Sequence, residues 1–167
     1  PALLAAGVRR VVCALEDPDP RARGAGLRLL RDAGVQVEVG LLAEEAERQN
    51  AAYLKHRRTG LPHVALKLAQ SLDGQIAAAG GNSRWITGEP ARALVHRWRS
   101  WADGVVVGAG TVLADDPQLD VRWVRGRDPR PLVVDGRLRV SPQARVFQRP
   151  GAVLITAETA PLAKRRA

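Results

Sequence analysis

Short apolar segments alternate with helical segments along the beginning of the sequence, and this alternation constrains the fold more than any other feature. Residues 8–15 predict a strand, residues 27–34 a helix and residues 35–40 a second strand, with a turn-rich stretch after the first strand. Strand, helix and strand in succession are typical of a parallel α/β layer. The chain is therefore expected to begin with such a layer.

A longer helical segment follows this layer. Residues 42–58 predict one amphipathic helix, with acidic residues early and basic residues late to match the helix dipole. The sequence Thr59-Gly60-Leu61-Pro62 is expected to end it. We therefore predict three regions: a first part at 1–46, a linker helix and turn at 47–62, and a second domain at 63–167.

The second domain repeats the alternation of strands and helices. We predict strands at 63–70, 104–107, 131–136 and 152–156. A helix is expected to begin near Thr87, with Pro90 in its first turn, where a missing N–H is tolerated. The face of this helix that we expect to pack into the core carries Ala91, Leu94, Val95, Trp98 and Trp101.

The charge balance favours anionic partners. The net charge is +9, with 26 Lys and Arg residues, so phosphorylated small molecules and nucleic acid are both possible partners. The alternative is that these residues only cover the solvated surface. No apolar run approaches the roughly 18 residues of a membrane span. A single cysteine, Cys13, and the absence of a secretion signal favour the cytoplasm. Because the sequence has no Met and starts inside a helical pattern, we expect it to be a fragment.

Glycines and acids follow two of the predicted strands. Gly108-Ala109-Gly110-Thr111 stands between a strand and a helix, where backbone N–H groups can hold a phosphate. Leu113 replaces the third glycine of the dinucleotide motif, so a plain strand-to-helix turn is the alternative. Asp115 and Asp116 could bind a ribose or act as acid and base, or simply form a turn. Asp135 presents the same choice between ribose and turn.

Arg99 has a more specific geometry. It lies at the edge of the apolar stripe of its helix, with Arg92 on the same flank. Such an arginine could hold a phosphate through two parallel hydrogen bonds, or extend over the core into water. Arg122 presents the same two alternatives.

Other residue types give weaker signals. His56, His63 and His96 lack a second ligand at metal spacing, so no zinc site is predicted within this chain. Cys13 is interpreted as an unreactive core thiol. The four tryptophans could stack on a ring, but Trp98 and Trp101 are better explained as core residues. No Ser/His/Asp arrangement or nucleophile elbow stands out, so covalent catalysis has no candidate.

Three motifs in the second domain carry a family resemblance. They are Leu66-Lys67-Leu68 with Ser71-Leu72-Asp73-Gly74, then Gly81-Asn82-Ser83-Arg84-Trp85-Ile86-Thr87, then the run from Gly108 to Pro117 with Leu119 and Arg122. In this order and spacing they resemble the reductase domain of the bifunctional riboflavin-biosynthesis deaminase/reductase family. Residues 2–8 and 17–20 resemble the end of the deaminase domain of that family. The resemblance implies an α/β chain that holds the end of a cytidine-deaminase-like domain and the first half of a dihydrofolate-reductase-like domain.

The same resemblance implies site residues and a reaction. The positions expected to contact NADPH are Ala69, Trp85, Thr111, Asp115 and Gly136. The positions expected to bind the phosphorylated ribosylaminopyrimidine are Lys67, Ser83, Arg99, Leu119 and Arg122, with Lys67 near the ribose. The implied reaction is NADPH-dependent reduction of 5-amino-6-(5-phosphoribosylamino)uracil to the ribitylamino phosphate, and the placing of nicotinamide against the sugar explains why no acid–base pair is visible.

Two parts of the family pattern are expected outside this sequence. The zinc motif of the deaminase would precede Pro1, and the later half of the reductase would follow Ala167. We therefore expect the fragment to be incomplete for both activities and to bind NADPH weakly or not at all. The family also implies a homo-oligomer without nucleic acid or membrane partners. The alternatives are another pteridine or pyrimidine reductase of the same fold, a basic nucleic-acid-binding domain, or an inactive remnant.

Overall fold

The computed structural model describes residues 1–81 and 85–158, and the chain divides into two compact units, Pro1–Lys67 and Leu68–Ala167. The first unit contains α1 (Ala2–Ala5), β1 (Arg10–Cys13), α2 (Ala25–Asp32), β2 (Gln36–Val39), α3 (Ala43–Gln49) and α4 (Ala51–Thr59). Strands β1 and β2 pair in parallel, with Arg10 opposite Gln36, and α2 packs on β2. The predicted parallel layer is confirmed, because the helix supplies the crossover that parallel strands need. The domain boundary predicted at 47–62 stays a prediction.

The helix predicted over 42–58 is wrong in one respect, since the structure has two helices, α3 and α4, that divide at Asn50. The Asn50 side-chain amide donates to the carbonyl of Ala46 at 2.9 Å. An asparagine side chain that bonds to nearby backbone competes with the helical hydrogen bonds, which explains the break. The predicted end of the helix is confirmed, because Gly60 adopts φ 72° after the last turn of α4 and donates its N–H to His56.

The second unit forms a parallel three-stranded sheet. Its elements are α5 (Glu89–Trp101), β3 (Gly104–Gly108), α6 (Ala109–Asp115), β4 (Arg130–Val134), a 3-10 helix (Arg145–Gln148) and β5 (Val153–Ile155). The strand order is β3-β4-β5, and Gly108, Val134 and Ile155 stand in register at the carboxyl end. Helix α6 packs on β3 and β4. The core consists of Ala109, Val112, Leu119, Val133, Val140 and Val146.

The strand predicted at 63–70 is wrong. Residues 61–70 form neither helix nor strand, and the side chains of Val64, Leu66 and Leu68 are exposed. A strand exists only where its backbone pairs with a neighbour, and within the described part of the chain these residues pair with none. Alternation of apolar and other residues predicts a strand only when a sheet is present to receive it.

The core face predicted for α5 is also wrong. Trp98 is 48% exposed, Trp101 is 69% exposed, and Leu94 is exposed as well. The buried residue of α5 is His96, at 4% exposure. The side of α5 that packs inward depends on its contacts with the loop after α6. That loop presents polar groups and an indole ring to the helix. Tertiary contacts here override the apolar stripe.

Candidate functional site

The inward side of α5 carries two arginines around a histidine. Arg92, His96 and Arg99 follow one another at spacings of four and three residues, which places them on one side of a helix. They contact Asp120, Arg122 and Trp123 of the loop that joins α6 to β4. These six residues are called the arginine cluster below.

His96 anchors the loop to the helix. Its Nδ1 accepts the backbone N–H of Arg122 at 3.3 Å, and its ring stacks on Trp123 with 5.4 Å between centroids. The pKa of His96 is lowered, first by burial and then by the positive charges of Arg99 and Arg122. These effects favour the neutral ring, which is the form that can accept the hydrogen bond.

Two guanidinium groups of the cluster share one acidic residue. Arg99 Nη1 donates to the backbone carbonyl of Asp120 at 3.3 Å, and Arg122 pairs with the Asp120 carboxylate. The pKa of Arg99 is lowered by burial and then by Arg122, although arginine stays charged at any ordinary pH. Arg99 is thus a partly buried cation without a carboxylate partner of its own among the described ion pairs. An anion placed beside Arg99 would compensate, by its negative charge, for the water that the guanidinium loses on burial.

Arg92 joins the segment before α5 to the same loop. Its guanidinium lies 4.3 Å from the ring centroid of Trp85 and 5.2 Å from that of Trp123. Its Nη1 donates to the carbonyl of Thr87 at 2.5 Å. Trp85 is 69% exposed, so one face of the indole stays open to solvent. Because Arg92 lies near both indole rings, Trp85, an expected cofactor residue, is close to the loop that carries Arg122.

A second group of predicted site residues follows the sheet. Thr111 comes shortly after β3 and Gly136 shortly after β4, so both lie near the carboxyl edge of parallel strands, and both are exposed. The carboxyl edge of such a sheet is a common place for ligand binding. Gly108 and Gly110 leave open space where a Cβ would stand. Asp115 is exposed at the last residue of α6.

The other acidic residues near this edge accept hydrogen bonds from backbone N–H groups. Asp135 is 2% exposed, and its carboxylate accepts the N–H groups of Arg137, Arg139 and Val140. Burial alone would raise the pKa of Asp135, but these hydrogen bonds outweigh it and the pKa is lowered. Asp116 ends α6 at φ 40° and accepts the N–H of Arg145 at 2.8 Å. Of the alternatives left open by the sequence, the structure favours the turn for both residues.

The remaining predicted positions differ in accessibility. Lys67 is exposed and Ala69 half-buried, both within the irregular segment 61–70; Lys67 is the last residue of the first unit. Leu119 is a buried core residue at φ 55°, so its side chain packs in the core and does not face a ligand. Ser83 lies outside the described residues.

Sequence reasoning missed the roles of His96, Asp120 and Trp123. The spacing of His96 from Arg92 and Arg99 is the signal that could have placed it on their side of α5. Over residues 1–81 and 85–158, no three His, Cys, Asp or Glu side chains are grouped as a metal site requires. None of the helices in those ranges combines the length and apolarity needed to span a membrane.

Comparisons with known proteins agree with one another. Residues 62–167 match the family described as RibD C-terminal domain. The riboflavin biosynthesis protein RibD of Escherichia coli is 44% identical over 163 residues, which cover 90% of this chain and 44% of that protein. RibD of Mycobacterium tuberculosis is 48% identical over 150 residues, which cover 87% of this chain and 44% of that protein. This chain spans about half the length of the curated relatives it matches.

Solved structures are similar over nearly the whole chain. A diaminohydroxyphosphoribosylaminopyrimidine deaminase/5-amino-6-(5-phosphoribosylamino)uracil reductase from Thermotoga maritima matches with a TM-score of 0.85 and 37% identity, covering 95% of this chain and 46% of that one. Acinetobacter baumannii RibD matches with a TM-score of 0.80 and 38% identity, covering 96% of this chain and 51% of that one. By these matches, the chain belongs to the RibD C-terminal domain family.

Proposed function

We propose that this chain is part of an enzyme of riboflavin biosynthesis that uses NADPH to reduce 5-amino-6-(5-phosphoribosylamino)uracil. The observation that carries the proposal is the arginine cluster, where Arg99 bonds to the backbone carbonyl of Asp120 and Arg122 pairs with the carboxylate of the same residue. This is a site for a phosphate group. The Thermotoga maritima relative, whose name includes that reductase activity, supports the choice of substrate.

In this proposal the arginine cluster holds the substrate phosphate. Arg99 is partly buried and Arg122 half-exposed, so a phosphate that reaches both is partly removed from water, where charge-assisted hydrogen bonds are strongest. The backbone of Leu119 lies in the loop just before Asp120 and is proposed as a further contact. Lys67 and Ser83 remain predicted substrate residues on the strength of the family resemblance.

The carboxyl edge of the sheet is the proposed NADPH site. Thr111 and Gly136 are exposed there, Asp115 is exposed at the end of α6, and the open space over Gly108 and Gly110 fits an extended ligand. Trp85 and Ala69 complete the proposed set, and the free face of Trp85 suits a flat ring. NADPH, when bound, supplies the hydride. The residues of this chain bind the two ligands and orient the sugar carbon, which explains why no acid–base pair is required.

The relatives and the family resemblance together lead to wider proposals about the whole protein. The second unit is proposed to be the first half of a dihydrofolate-reductase-like domain, and the parallel layer of the first unit the end of a cytidine-deaminase-like domain. The whole protein is then proposed to deaminate the diaminopyrimidine precursor with zinc before it reduces the sugar. We place it in the cytoplasm as a homo-oligomer.

The direct test is NADPH oxidation by the intact protein. We expect oxidation that depends on 5-amino-6-(5-phosphoribosylamino)uracil, and a much higher KM for the dephosphorylated analogue because the arginine cluster then lacks its anion. A dihydropterin serves as the competing substrate. Oxidation driven by the dihydropterin alone would support a different reductase of the same fold, and no oxidation with either compound would reject the reductase assignment.

A further inference from the structure

His96 is a buried titratable group of the arginine cluster for which the proposed binding scheme has no role. At 4% exposure the His96 side chain is too deeply buried to contact a ligand directly. Its Nδ1 nevertheless accepts the N–H of Arg122, a residue on a separate segment of the chain. Its ring also stacks on Trp123, the next residue along. The imidazole therefore holds two consecutive residues of the loop against α5.

The bond to Arg122 depends on the charge of the ring. A neutral imidazole has one nitrogen that accepts, whereas a protonated imidazole has two that donate. The groups that face the ring are Arg99 on α5, and Asp120 and Arg122 in the loop, with Trp123 stacked on its face. Two cations against one acid, together with burial, oppose protonation. The structure thus keeps His96 in its accepting form at neutral pH.

We propose that neutral His96 is a positioning residue for the substrate phosphate: by accepting the Arg122 N–H it fixes the loop so that the Arg122 guanidinium stays beside Arg99. The inference rests on the proposed function, since it names how the same site is held in place. When His96 gains a proton, Nδ1 becomes a donor that faces another donor, and the loop is released from α5. Substrate affinity then falls as the pH decreases, whereas the NADPH residues at the sheet edge are unaffected.

Two variants separate this role from simple packing. His96→Asn keeps an acceptor, because the Asn Oδ1 can occupy nearly the position of Nδ1, but it does not titrate. His96→Phe keeps a flat ring to stack on Trp123 and removes the acceptor. Packing on Trp123 alone predicts that His96→Phe keeps a normal KM and His96→Asn does not. A role through the hydrogen bond predicts the reverse.

The experiment measures KM and kcat of the intact wild-type protein and both variants at saturating NADPH, from roughly pH 5 to 8, across the range where histidine titrates. NADPH affinity is measured in parallel by calorimetric titration. At the alkaline end we expect a near-normal KM for His96→Asn and a KM raised about three- to tenfold for His96→Phe, the effect of one neutral hydrogen bond. kcat and NADPH affinity should stay close to wild type.

The pH profile provides the sharper test. The substrate phosphate itself gains a proton near pH 6, which raises KM for every form of the protein, and His96→Asn records that effect alone. Wild type should show a further rise in KM below the ordinary pKa of histidine, and His96→Asn should not. Identical profiles for these two proteins, or a normal KM for His96→Phe, would overturn the inference while leaving the reductase assignment intact. A wild-type protein that never turns over the substrate would overturn both.

Discussion

The arginine cluster and the carboxyl edge of the sheet are built in different ways. In the cluster, side-chain contacts link the helix to the loop: a histidine accepts a backbone N–H, two tryptophans lie near one guanidinium, and a partly buried arginine bonds to a carbonyl. At the sheet edge, strand register brings Thr111 and Gly136 into place, and exposed residues line it. The difference teaches that single side-chain substitutions should damage the proposed phosphate site far more than the proposed NADPH site.

The largest effect is expected from Arg99→Ala. Loss of a partly buried cation should raise KM for the phosphorylated substrate about 10- to 100-fold, since hydrogen bonds to charged groups contribute roughly 1.5–3 kcal/mol. NADPH affinity should not change. Arg97→Ala is the matched control, because Arg97 is exposed on the same helix. Steady-state kinetics of both variants decide the matter, and an unchanged KM for Arg99→Ala would remove Arg99 from the phosphate site.

Asp135→Asn tests whether the structure of the carboxyl edge of the sheet depends on one side chain. The amide cannot accept all the N–H groups that the carboxylate now binds, so the free energy of unfolding should fall by about 1–3 kcal/mol. Because the pKa of Asp135 is lowered by folding, its stabilising effect is full above the ordinary Asp pKa and is lost as the pH falls through the lower, folded value.

Urea unfolding followed by circular dichroism at several pH values measures both effects. The stability of Asp135→Asn should decline less steeply in acid than that of wild type, and Asp115→Asn, at an exposed position of the same unit, should behave as wild type. Equal stability of Asp135→Asn and wild type at neutral pH would mean that strand register alone maintains the edge.

Gly126→Ala tests the close approach of the loop to α5. An added Cβ would stand 2.4 Å from the Cβ of Ser100, so the loop must move, and we expect a loss of about 1 kcal/mol in stability, typical of mild overpacking. Ser100→Gly in the same protein should relieve the clash. The double-mutant cycle therefore should show favourable coupling, and additive losses would count against the contact.

The smallest effect is expected from Thr111→Val. The substitution keeps the shape of the side chain and removes one hydroxyl at an exposed position, so NADPH affinity should fall about three- to tenfold, as for one hydrogen bond, with substrate KM unchanged. Calorimetric titration of NADPH gives the value. A loss larger than that caused by Arg99→Ala on the substrate would break the comparison between the two sites.

Local pattern was enough to predict most elements. The strands at 104–107, 131–136 and 152–156, the end of α4 at Gly60 and the parallel pairing of the first layer were all predictable, because periodicity and turn residues act over a few positions. The irregular segment 61–70 and the inward face of α5 were not. Each depends on which partner, if any, the segment meets, and that information lies far away in the chain.

The sequence also supplied candidates for the site. The family resemblance implies Arg99, Arg122 and Thr111, which stay predictions, and helical spacing predicts that Arg92 lies on the same flank as Arg99. The contact between α5 and the loop at 120–123 could not be predicted, since no local rule relates residues so far apart. Metal-ligand spacing does not reveal the contact of His96 with this loop, which is visible only in the hydrogen bond to Arg122 and the stack on Trp123.

The division of the chain into two units has a spectroscopic consequence. All four tryptophans, Trp85, Trp98, Trp101 and Trp123, belong to the unit Leu68–Ala167, whereas the sole tyrosine, Tyr53, belongs to Pro1–Lys67. Indole emission therefore reports on one unit only, and phenol emission on the other. Heating the protein while indole and phenol emission are both recorded would show directly whether the two units unfold together or in succession.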